Sequence, residues 1–421
     1  MRVSNPDNRV TRRRRLEFEW RRIRGMSLGK LAWKVLLKAT GVALWLLLLP
    51  LTLLLHLCGY RRVTVFADRI GHLALEPDCL LKEQALGKIR HRRWILLADE
   101  RYVANTHLVK YWEMHFLVLR NRLAIYLVKS MSQWWLLRQD VSHYIRALER
   151  TQAAYRVYRD WGDRPPILAL SHEDEAWSAT ALEQLGLPKG AWYVCVHVRE
   201  AGFSAIDEEL HEHRNSDIEK TVPAIQEIVR RRGWVIRIGD PSMKPLPKLH
   251  HAIDYAHHPL KSERLDIVLC ARARFMLGNT SGIALVATIF GVPCALANMV
   301  PMAALGIGPK DISIPKQYWS AKLHRHLGIS EVMSSPLANT QFYKTFTEAE
   351  IRLDENEPED IFALCVEMLD ILEKRKGHEE MDTGLQDVFF GNLRNCHYSF
   401  GACSKIGHDY LRAMLDRESK A

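Results

Sequence analysis

Apolar runs separated by polar turns predict alternating strands and helices along most of this chain. The predicted strands are Val63–Phe66, a run ending at Asp99, Trp192–Val198, Trp234–Ile238, Ile253–Ala256, Phe275–Leu277 and Cys294–Ala297. The predicted helices are Ser27–Leu57, Asn105–Leu137, Asp140–Asp160, Asp217–Arg232, Glu263–Ala271 and Ile283–Phe290. From residue 192 onward the βα units recur with short connections, which predicts a parallel doubly wound sheet in an α/β fold.

Length and composition set the number of domains. The chain has 421 residues, 48% of them hydrophobic, which is enough for two globular cores. The segment Gly162–Ile167, with its adjacent prolines, is typical of a linker. The sequence predicts a basic arm at 1–27, a membrane-associated helix at 28–62, α/β domains at 63–165 and 166–376, and a C-terminal tail and helix at 377–421.

The positive charge of the chain is concentrated at its N-terminus. The formal net charge is +10, but residues 1–38 hold twelve Lys/Arg and three acidic residues, a net of +9. The remaining 383 residues are nearly neutral, with a net of +1. A neutral body with a basic arm argues against nucleic acid as a partner.

An uncharged segment, Val42–Leu57, follows the basic arm directly. It is shorter than the roughly 20 apolar residues of a full span. Pro50 interrupts its helical hydrogen bonding, and Arg61 and Arg62 follow it. We therefore expect a re-entrant or in-plane membrane helix. A single span and a buried core helix remain alternatives, whereas the long basic region and missing cleavage site argue against a signal peptide.

Polar clusters fall where predicted strands end, at Asp68–His72, His197–Glu200, Gly239–Asp240 and Gly278–Gly282. In a doubly wound sheet, ligands bind beyond the carboxyl ends of the strands. The alignment of these clusters with strand ends therefore predicts one ligand site.

The stretch "GNTSG", residues 278–282, joins a strand to a helix and is suited to a phosphate or diphosphate. Its glycines permit close backbone approach, and the helix N-terminus offers N–H donors. An ordinary tight turn with Ser281 as N-cap is the alternative. Arg199 would present a planar fork to the phosphate, and His197, on the same side of its strand, a hydrogen bond to a sugar hydroxyl.

We predict neither a metal site nor a cofactor. The histidine-rich stretches "ELHEHRN" and "LHHAIDYAHH" lack the spacing of known metal-ligand motifs. Eight scattered cysteines without a C-x-x-C pair are typical of reduced thiols and indicate neither disulfides nor zinc.

Several linked motifs resemble a family of bacterial glycosyltransferases found among surface-polysaccharide genes. The resemblance lies in "DRIGH", "HVRE", "RNSDIEKTVPAIQEIVRRRGWVIRIGD", "LDIVLCARARFMLGNTSG", "GVPCALAN" and "SKIGHDYLRAML", and covers roughly residues 63–415. This family is similar to the glycosyltransferase-B class, in which two Rossmann-like domains face a cleft and usually need no metal. The His-x-Arg at His197 is also similar to that of the fucosyltransferases, whose arginine contacts the donor diphosphate.

The resemblance implies a metal-independent glycosyltransferase that moves a sugar from a nucleotide-sugar donor to a cell-surface glycan or lipid-linked acceptor. The absence of an Asp-x-Asp motif agrees with this class. The implied catalytic residues are Arg199, His72, Asp68 and Glu200, the last three as candidate bases for the acceptor hydroxyl. The implied donor contacts are His197, Arg199, Asp240, Asn279, Thr280, Ser281, Gly282 and Lys316, with Arg237 and Asp266 as further candidates.

The resemblance and the basic arm together imply a place in the cell. Nucleotide sugars are made in the bacterial cytoplasm, so the cleft is expected on the cytoplasmic face of the inner membrane, held there by residues 28–62 and the arm. A different sugar-phosphate transferase and a non-enzymatic membrane-tethered scaffold remain alternatives. A scaffold, however, has no need of polar clusters at several strand ends.

Overall fold

The structure is a computed structural model that describes residues 28–145, 151–200, 212–374 and 383–418. The predicted basic arm, residues 1–27, lies outside these residues. The described chain is a mixed α/β protein that contains two parallel sheets and a small antiparallel one.

The first apolar segment, predicted as a helix at Ser27–Leu57 that Pro50 interrupts, forms two helices. Helix α1 is Leu28–Leu47 and α2 is Leu49–Leu57, with Pro50 in the first turn of α2. Proline has no N–H to continue the ladder, so the chain bends there. No single helix within the described part of the chain is long and apolar enough to cross a bilayer, whereas Ala39–Leu47 and Leu49–Leu57 meet that test only as a pair bent by 60°.

A four-stranded parallel sheet follows, in the order β3-β2-β1-β4. Its strands are β1 (Tyr60–Val63), β2 (Arg93–Leu97), β3 (Phe116–Leu119) and β4 (Arg138–Gln139). Its helices are α3 (Ile70–Ala85), α4 (Thr106–Trp112), α5 (Arg122–Met131) and α6 (Ala153–Trp161). The long helix predicted at Asn105–Leu137 is wrong, because the apolar run "FLVL" pairs with β2 as an edge strand. Of the helix predicted at Asp140–Asp160, the described residues contain a 3₁₀ turn at Ser142–Tyr144 and then α6.

The seven-stranded sheet is also parallel, in the order β14-β10-β9-β8-β5-β6-β7. Its strands are β5 (Tyr193–His197), β6 (Trp234–Arg237), β7 (Ala252–Asp254), β8 (Met276–Gly278), β9 (Cys294–Met299), β10 (Ile312–Pro315) and β14 (Lys405–Ile406). The helices preceding β10 are α7 (His172–Gln184), α8 (Val222–Arg230), α9 (Glu263–Arg272) and α10 (Gly282–Ile289). Contrary to the sequence prediction, the strand series does not close at Ala297.

Residues after β10 complete this body. They form the antiparallel strands β11 (Gln317–Ser320), β12 (Arg325–His326) and β13 (Ile351–Asp354), and the helices α11 (Ile329–Met333), α12 (Tyr343–Glu348), α13 (Pro358–Leu372), α14 (Thr383–Gly391) and α15 (His408–Glu418). Helix α13 packs against α8 and α15, so the C-terminal segment belongs to the seven-stranded body and is not a separate tail.

The two parallel-sheet bodies meet at the first turns of α3 and α10. A Cβ on Gly282 would lie 2.9 Å from the Gly71 nitrogen, and a Cβ on Gly71 would lie 2.9 Å from the Gly282 Cα. Such distances permit only hydrogen at both positions. The turn after β1 and the turn after β8 are therefore in backbone contact.

A second contact joins α4, α7 and α9 through a buried carboxylate. Asp174 on α7 accepts hydrogen bonds from His107 Nε2 on α4 at 2.8 Å and from Arg264 Nε on α9 at 2.7 Å. The Asn105 amide also donates to the Glu263 carbonyl oxygen at 3.0 Å. These bonds fix the angle at which the two bodies pack.

Substitution of Gly282 by alanine should lower the free energy of unfolding by about 1–3 kcal/mol, the usual cost of overpacking. Two of the three nearest neighbours of the new methyl group are the Gly71 nitrogen and Cα, which are backbone atoms and cannot rotate away. Chemical denaturation measures the change. Gly391→Ala is the matched control: it lies in a helix, a Cβ there would have no atom within 4 Å, and the change should leave stability unchanged or raise it. Equal stabilities for the two variants would contradict the close packing.

Candidate active site

The seven-stranded sheet reverses its winding direction between β5 and β8. These strands are parallel neighbours, with His197 opposite Gly278, and the chain then adds β6 and β7 on one side and β9 and β10 on the other. A crevice for ligands opens at such a point in a doubly wound sheet. The structure thus brings two of the predicted polar clusters, residues 197–200 and 278–282, to one switch point.

Asn279 holds the two clusters together. Its side chain is almost wholly buried, its Oδ1 accepts a hydrogen bond from the Arg199 backbone N–H at 3.0 Å, and its Nδ2 donates to the Arg214 carbonyl oxygen at 3.2 Å. Gly278 allows the close approach, because a Cβ there would lie 2.7 Å from the His197 carbonyl oxygen. The structure therefore gives Asn279 a positioning role under the loop.

His197 orients Ser281. Burial lowers the pKa of His197 to about 4, so the imidazole is neutral at physiological pH. Its Nδ1 lies 3.0 Å from the Ile238 carbonyl oxygen and must donate there. Its Nε2, 2.9 Å from Ser281 Oγ, then accepts the hydroxyl proton. The direct sugar contact predicted for His197 is not what this geometry provides.

Two helix N-termini without side-chain caps converge at the cleft. Ser281 occupies the N-cap position of α10, but its hydroxyl bonds His197 and caps no backbone N–H. The alternative of an ordinary turn with Ser281 as cap therefore fails. Helix α3 likewise has no side-chain cap. Because Gly71 and Gly282 touch, the positive ends of both helices lie next to each other.

Cationic side chains border the same loop. Arg199 Nε donates to Asn215 Oδ1 at 3.2 Å, and Arg214 Nη2 donates to the Thr280 carbonyl oxygen at 2.7 Å. Lys316 is buried and donates to the Asn215 carbonyl oxygen at 2.7 Å, and burial lowers its pKa to about 8. The sequence predicted Arg199 and Lys316 but missed Arg214 and Asn215. These two residues lie in the stretch "HEHRNSD", whose histidines were considered only as metal ligands.

Glu200 belongs to a buried ion-pair network. Its Oε2 accepts from Arg237 Nη2 at 3.3 Å and from the Lys244 backbone N–H at 2.8 Å, while burial raises its pKa. Arg237 has no exposed surface and also pairs with Asp254 at 3.1 Å. A carboxylate engaged in this way braces the end of β6, so the geometry disfavours Glu200 as the base and Arg237 as a ligand contact.

The remaining predicted polar residues of this body lie at turns or in surface ion pairs. Asp240 is half-buried, and its Oδ1 accepts from the Ser242 backbone N–H at 2.9 Å within the turn after β6. Asp266 lies on α9, and its carboxylate is 2.9 Å from Nζ of Lys261, which precedes the helix. Thr280 accepts a hydrogen bond from the Val300 backbone N–H at 3.2 Å, which ties the loop to the end of β9.

An imidazole oriented by a buried carboxylate lies in the first turn of α3. His72 Nδ1 is 2.7 Å from Oε1 of Glu76, which is fully buried, and the imidazole packs edge-on against Phe66 at 5.3 Å. Asp68 lies in the exposed turn just before the helix. The sequence named His72 and Asp68 but missed Glu76, which the His-x-x-x-Glu spacing on a predicted helix would have indicated.

The histidine-rich stretches do not assemble a metal site. Across residues 28–145, 151–200, 212–374 and 383–418, no three His, Cys, Asp or Glu side chains lie close enough to hold a metal ion together. Independence of the reaction from metal stays a prediction.

Comparison with known proteins finds weak likenesses only. No protein-family model matches the chain, and no curated protein matches it in sequence. Among solved structures it is similar to a family 9 glycosyl transferase from Veillonella parvula, with 12% identity over 56% of this chain and 80% of that one and a TM-score of 0.34. It is similar to the iron-containing dodecameric glycosyltransferase TibC from enterotoxigenic E. coli, with 11% identity over 75% and 76% and a TM-score of 0.38. The third is the E. coli heptosyltransferase WaaC with ADP, with 10% identity over 61% and 91% and a TM-score of 0.30. At these scores the likenesses carry no argument about this chain, and the fold described above follows from its own strand order.

The pairing of His197 with Ser281 predicts a specific acid sensitivity. The folded-state pKa of about 4 lies below the ordinary value of 6.5, so the unfolded chain takes up the proton first. The stability due to neutral His197 is complete above pH 6.5 and is lost as the pH falls toward 4. Urea unfolding between pH 7 and 4.5 should therefore show a shallower loss of stability in His197→Gln than in the wild type. Parallel curves for the two proteins would contradict the assignment.

Proposed function

We propose that this protein is a glycosyltransferase that uses a nucleotide-sugar donor. The observation that supports this most is the meeting of two uncapped helix N-termini and several cationic side chains at the switch point of a doubly wound sheet. The donor diphosphate binds against residues 280–282 at the start of α10. The four-stranded body, roughly 63–165, supplies the acceptor side, and the body at 166–376 supplies the donor side.

The donor half of the site suits a departing diphosphate. When the glycosidic bond to the nucleotide breaks, negative charge develops on the diphosphate oxygens. Arg199 pairs with these oxygens, and the N–H groups at the start of α10 donate hydrogen bonds to them. Asn215 orients both Arg199 and Lys316 through neutral oxygens, and Glu355 lies 4.0 Å from the Lys316 ammonium group. Arg214 supports the loop from the other side.

The acceptor half of the site supplies a base. His72 Nε2 takes the proton of the acceptor hydroxyl as that oxygen attacks the sugar carbon. Glu76, bonded to Nδ1, fixes the tautomer and stabilises the imidazolium that forms. His72 is our candidate base ahead of Asp68, because the imidazole has a buried carboxylate partner and the Asp68 turn is exposed. The fucosyltransferase-like role of the His-x-Arg motif remains a prediction for Arg199 alone.

The acceptor and the cellular location belong to the same proposal. The bent pair α1 and α2 exposes many leucines, which supports a helix pair lying in a membrane surface. We place the enzyme on the cytoplasmic face of the bacterial inner membrane, where it extends a cell-surface glycan or a lipid-linked acceptor. The reaction needs no metal and no cofactor.

Replacing Arg199 by lysine should weaken binding of nucleoside diphosphates by about tenfold or more, because lysine cannot reproduce a two-pronged contact with phosphate. A panel of ADP, GDP, UDP and CDP, measured by calorimetry in EDTA, first identifies the nucleotide and then gives its Kd. Ligand at a hundred times its Kd should also stabilise the wild type by about 2.7 kcal/mol.

The matched control is Arg230→Lys. Arg230 is 70% exposed and lies at the end of α8, next to the amino end of β6 and far from the strand carboxyl ends. The Arg230→Lys variant should bind the nucleoside diphosphate with the same Kd as the wild type. Full binding by Arg199→Lys would refute the diphosphate assignment. Loss of wild-type binding in EDTA, restored by Mg²⁺ or Mn²⁺, would refute metal independence.

A double-mutant cycle tests the pairing of His72 with Glu76. His72→Ala should lower kcat by about 10²–10⁴-fold, the usual contribution of a general base, with little change in KM for the donor. Glu76→Gln should lower kcat by about tenfold or more, and the double variant should be no slower than His72→Ala. Release of nucleoside diphosphate in the presence of the membrane fraction gives the rates. If the loss of kcat in the double variant equals the product of the losses in the two single variants, Glu76 acts independently of His72.

A further inference from the structure

The four-stranded body exposes an apolar strip outside the bent helix pair. The strip consists of Leu123 and Tyr126 on α5 and of Trp134 and Trp135 in the segment that follows it. Leu123 is 66% exposed and Trp135 is 74% exposed. The four side chains are exposed within one short segment, residues 123–135, and monomeric proteins rarely leave so many large apolar side chains together in water.

This strip is continuous with the surface of α1 and α2. The rings of Trp45 and Trp134 lie 5.3 Å apart, and His56 Nδ1 lies 2.5 Å from the Leu136 carbonyl oxygen. His56 also contacts the edge of Trp135 at 6.2 Å. The neighbouring exposed leucines of the helix pair are Leu46, Leu47, Leu51, Leu53, Leu54 and Leu57. One apolar surface therefore runs from the bent pair onto the body that carries His72.

The segments that form this surface are rich in basic residues and poor in acidic ones. Residues 114–139 contain no Asp or Glu, and neither do residues 20–67. Arg122, Lys129 and Arg138 are exposed on the same segment, with Asp99 in electrostatic contact with Arg122 and Asp140 with Arg138. Each basic residue near an anionic lipid surface adds roughly 1 kcal/mol of attraction.

We infer that the strip Leu123–Tyr126–Trp134–Trp135 is a second membrane contact, so that the four-stranded body itself rests on an anionic bilayer. Amphipathic aromatic rings between aliphatic and basic side chains are the composition of a surface at the level of lipid headgroups. A protein partner would not account for the absence of acidic residues over both stretches. This inference rests on the membrane association in the proposed function and extends it from residues 28–62 to the catalytic body.

Vesicle sedimentation with the full-length protein tests the inference. Vesicles are either pure phosphatidylcholine or a mixture with phosphatidylglycerol, and the readout is the lipid concentration that binds half of the protein. Leu123→Glu/Trp135→Glu should raise this concentration for the mixed vesicles by about tenfold or more, because two anchors are lost and two negative charges are gained. The control Leu323→Glu/Phe400→Glu makes the same kinds of change at exposed positions outside the strip and should behave as the wild type.

The outcomes separate this inference from the proposal on which it rests. Equal binding by the wild type and Leu123→Glu/Trp135→Glu would overturn the second contact and leave docking through the bent pair intact. Failure of the wild type to bind either vesicle would overturn membrane association and the strip with it. A dimer of the wild type without lipid, converted to monomer by Leu123→Glu/Trp135→Glu, would assign the strip to a second copy of this chain. Melting temperatures equal to that of the wild type confirm that the variants fold.

Discussion

Gly71 and Gly282 pack backbone against backbone where the four-stranded and seven-stranded sheets meet. A side chain at either position would separate the first turns of α3 and α10. Because neither residue carries a Cβ, the loop after β1 and the loop after β8 share one cleft, and the positive ends of two helices reinforce each other there. His72 and Ser281 are the chain neighbours of Gly71 and Gly282, so this contact brings their backbones close together.

The buried charges of the molecule fall into two groups with different tasks. Arg237 is neutralised by Glu200 and Asp254, as a fully buried guanidinium requires, and this network braces the ends of β5, β6 and β7. Arg199 and Lys316 are instead oriented by oxygens of Asn215, and Lys316 also lies 4.0 Å from the Glu355 carboxylate. Concentrating cations beside uncapped helix ends costs stability, and such local conflicts are expected where a protein binds an anion.

The N-terminal third of the chain carries an exposed apolar surface on the four-stranded body. Pro50 breaks the first apolar segment, and its two halves contact the four-stranded body while several of their leucines stay exposed. The same body therefore carries the candidate base and the surface that we assign to lipid. An enzyme acting on a lipid-linked acceptor needs these two features on one rigid unit.

How far the sequence predicts the structure varies with the type of signal. Short apolar runs ending in polar residues correctly placed β5, β6, β8 and the turn at 278–282. A strand that is buried on both faces needs a continuous apolar run, and this pattern is easy to recognise in a sequence. The run "FLVL" was misjudged because four apolar residues between amphipathic segments suit a helix or a strand equally, and only its pairing with β2 decides. The strands β10 and β14 escaped detection for a similar reason, because partners distant in sequence define them.

The sequence by itself determined the α/β class, the break at Pro50, the concentration of charge in the arm and the residue types at the strand ends. Only the tertiary structure decided what those residues do. Glu200 lies one position from Arg199, yet Arg237 engages Glu200 while Asn215 orients Arg199. His197 turned out to hold Ser281, and Glu76 to hold His72. Local spacing determines which side chains reach a strand end, whereas burial and partners brought from elsewhere in the chain determine their charge, their orientation and the atoms they can touch.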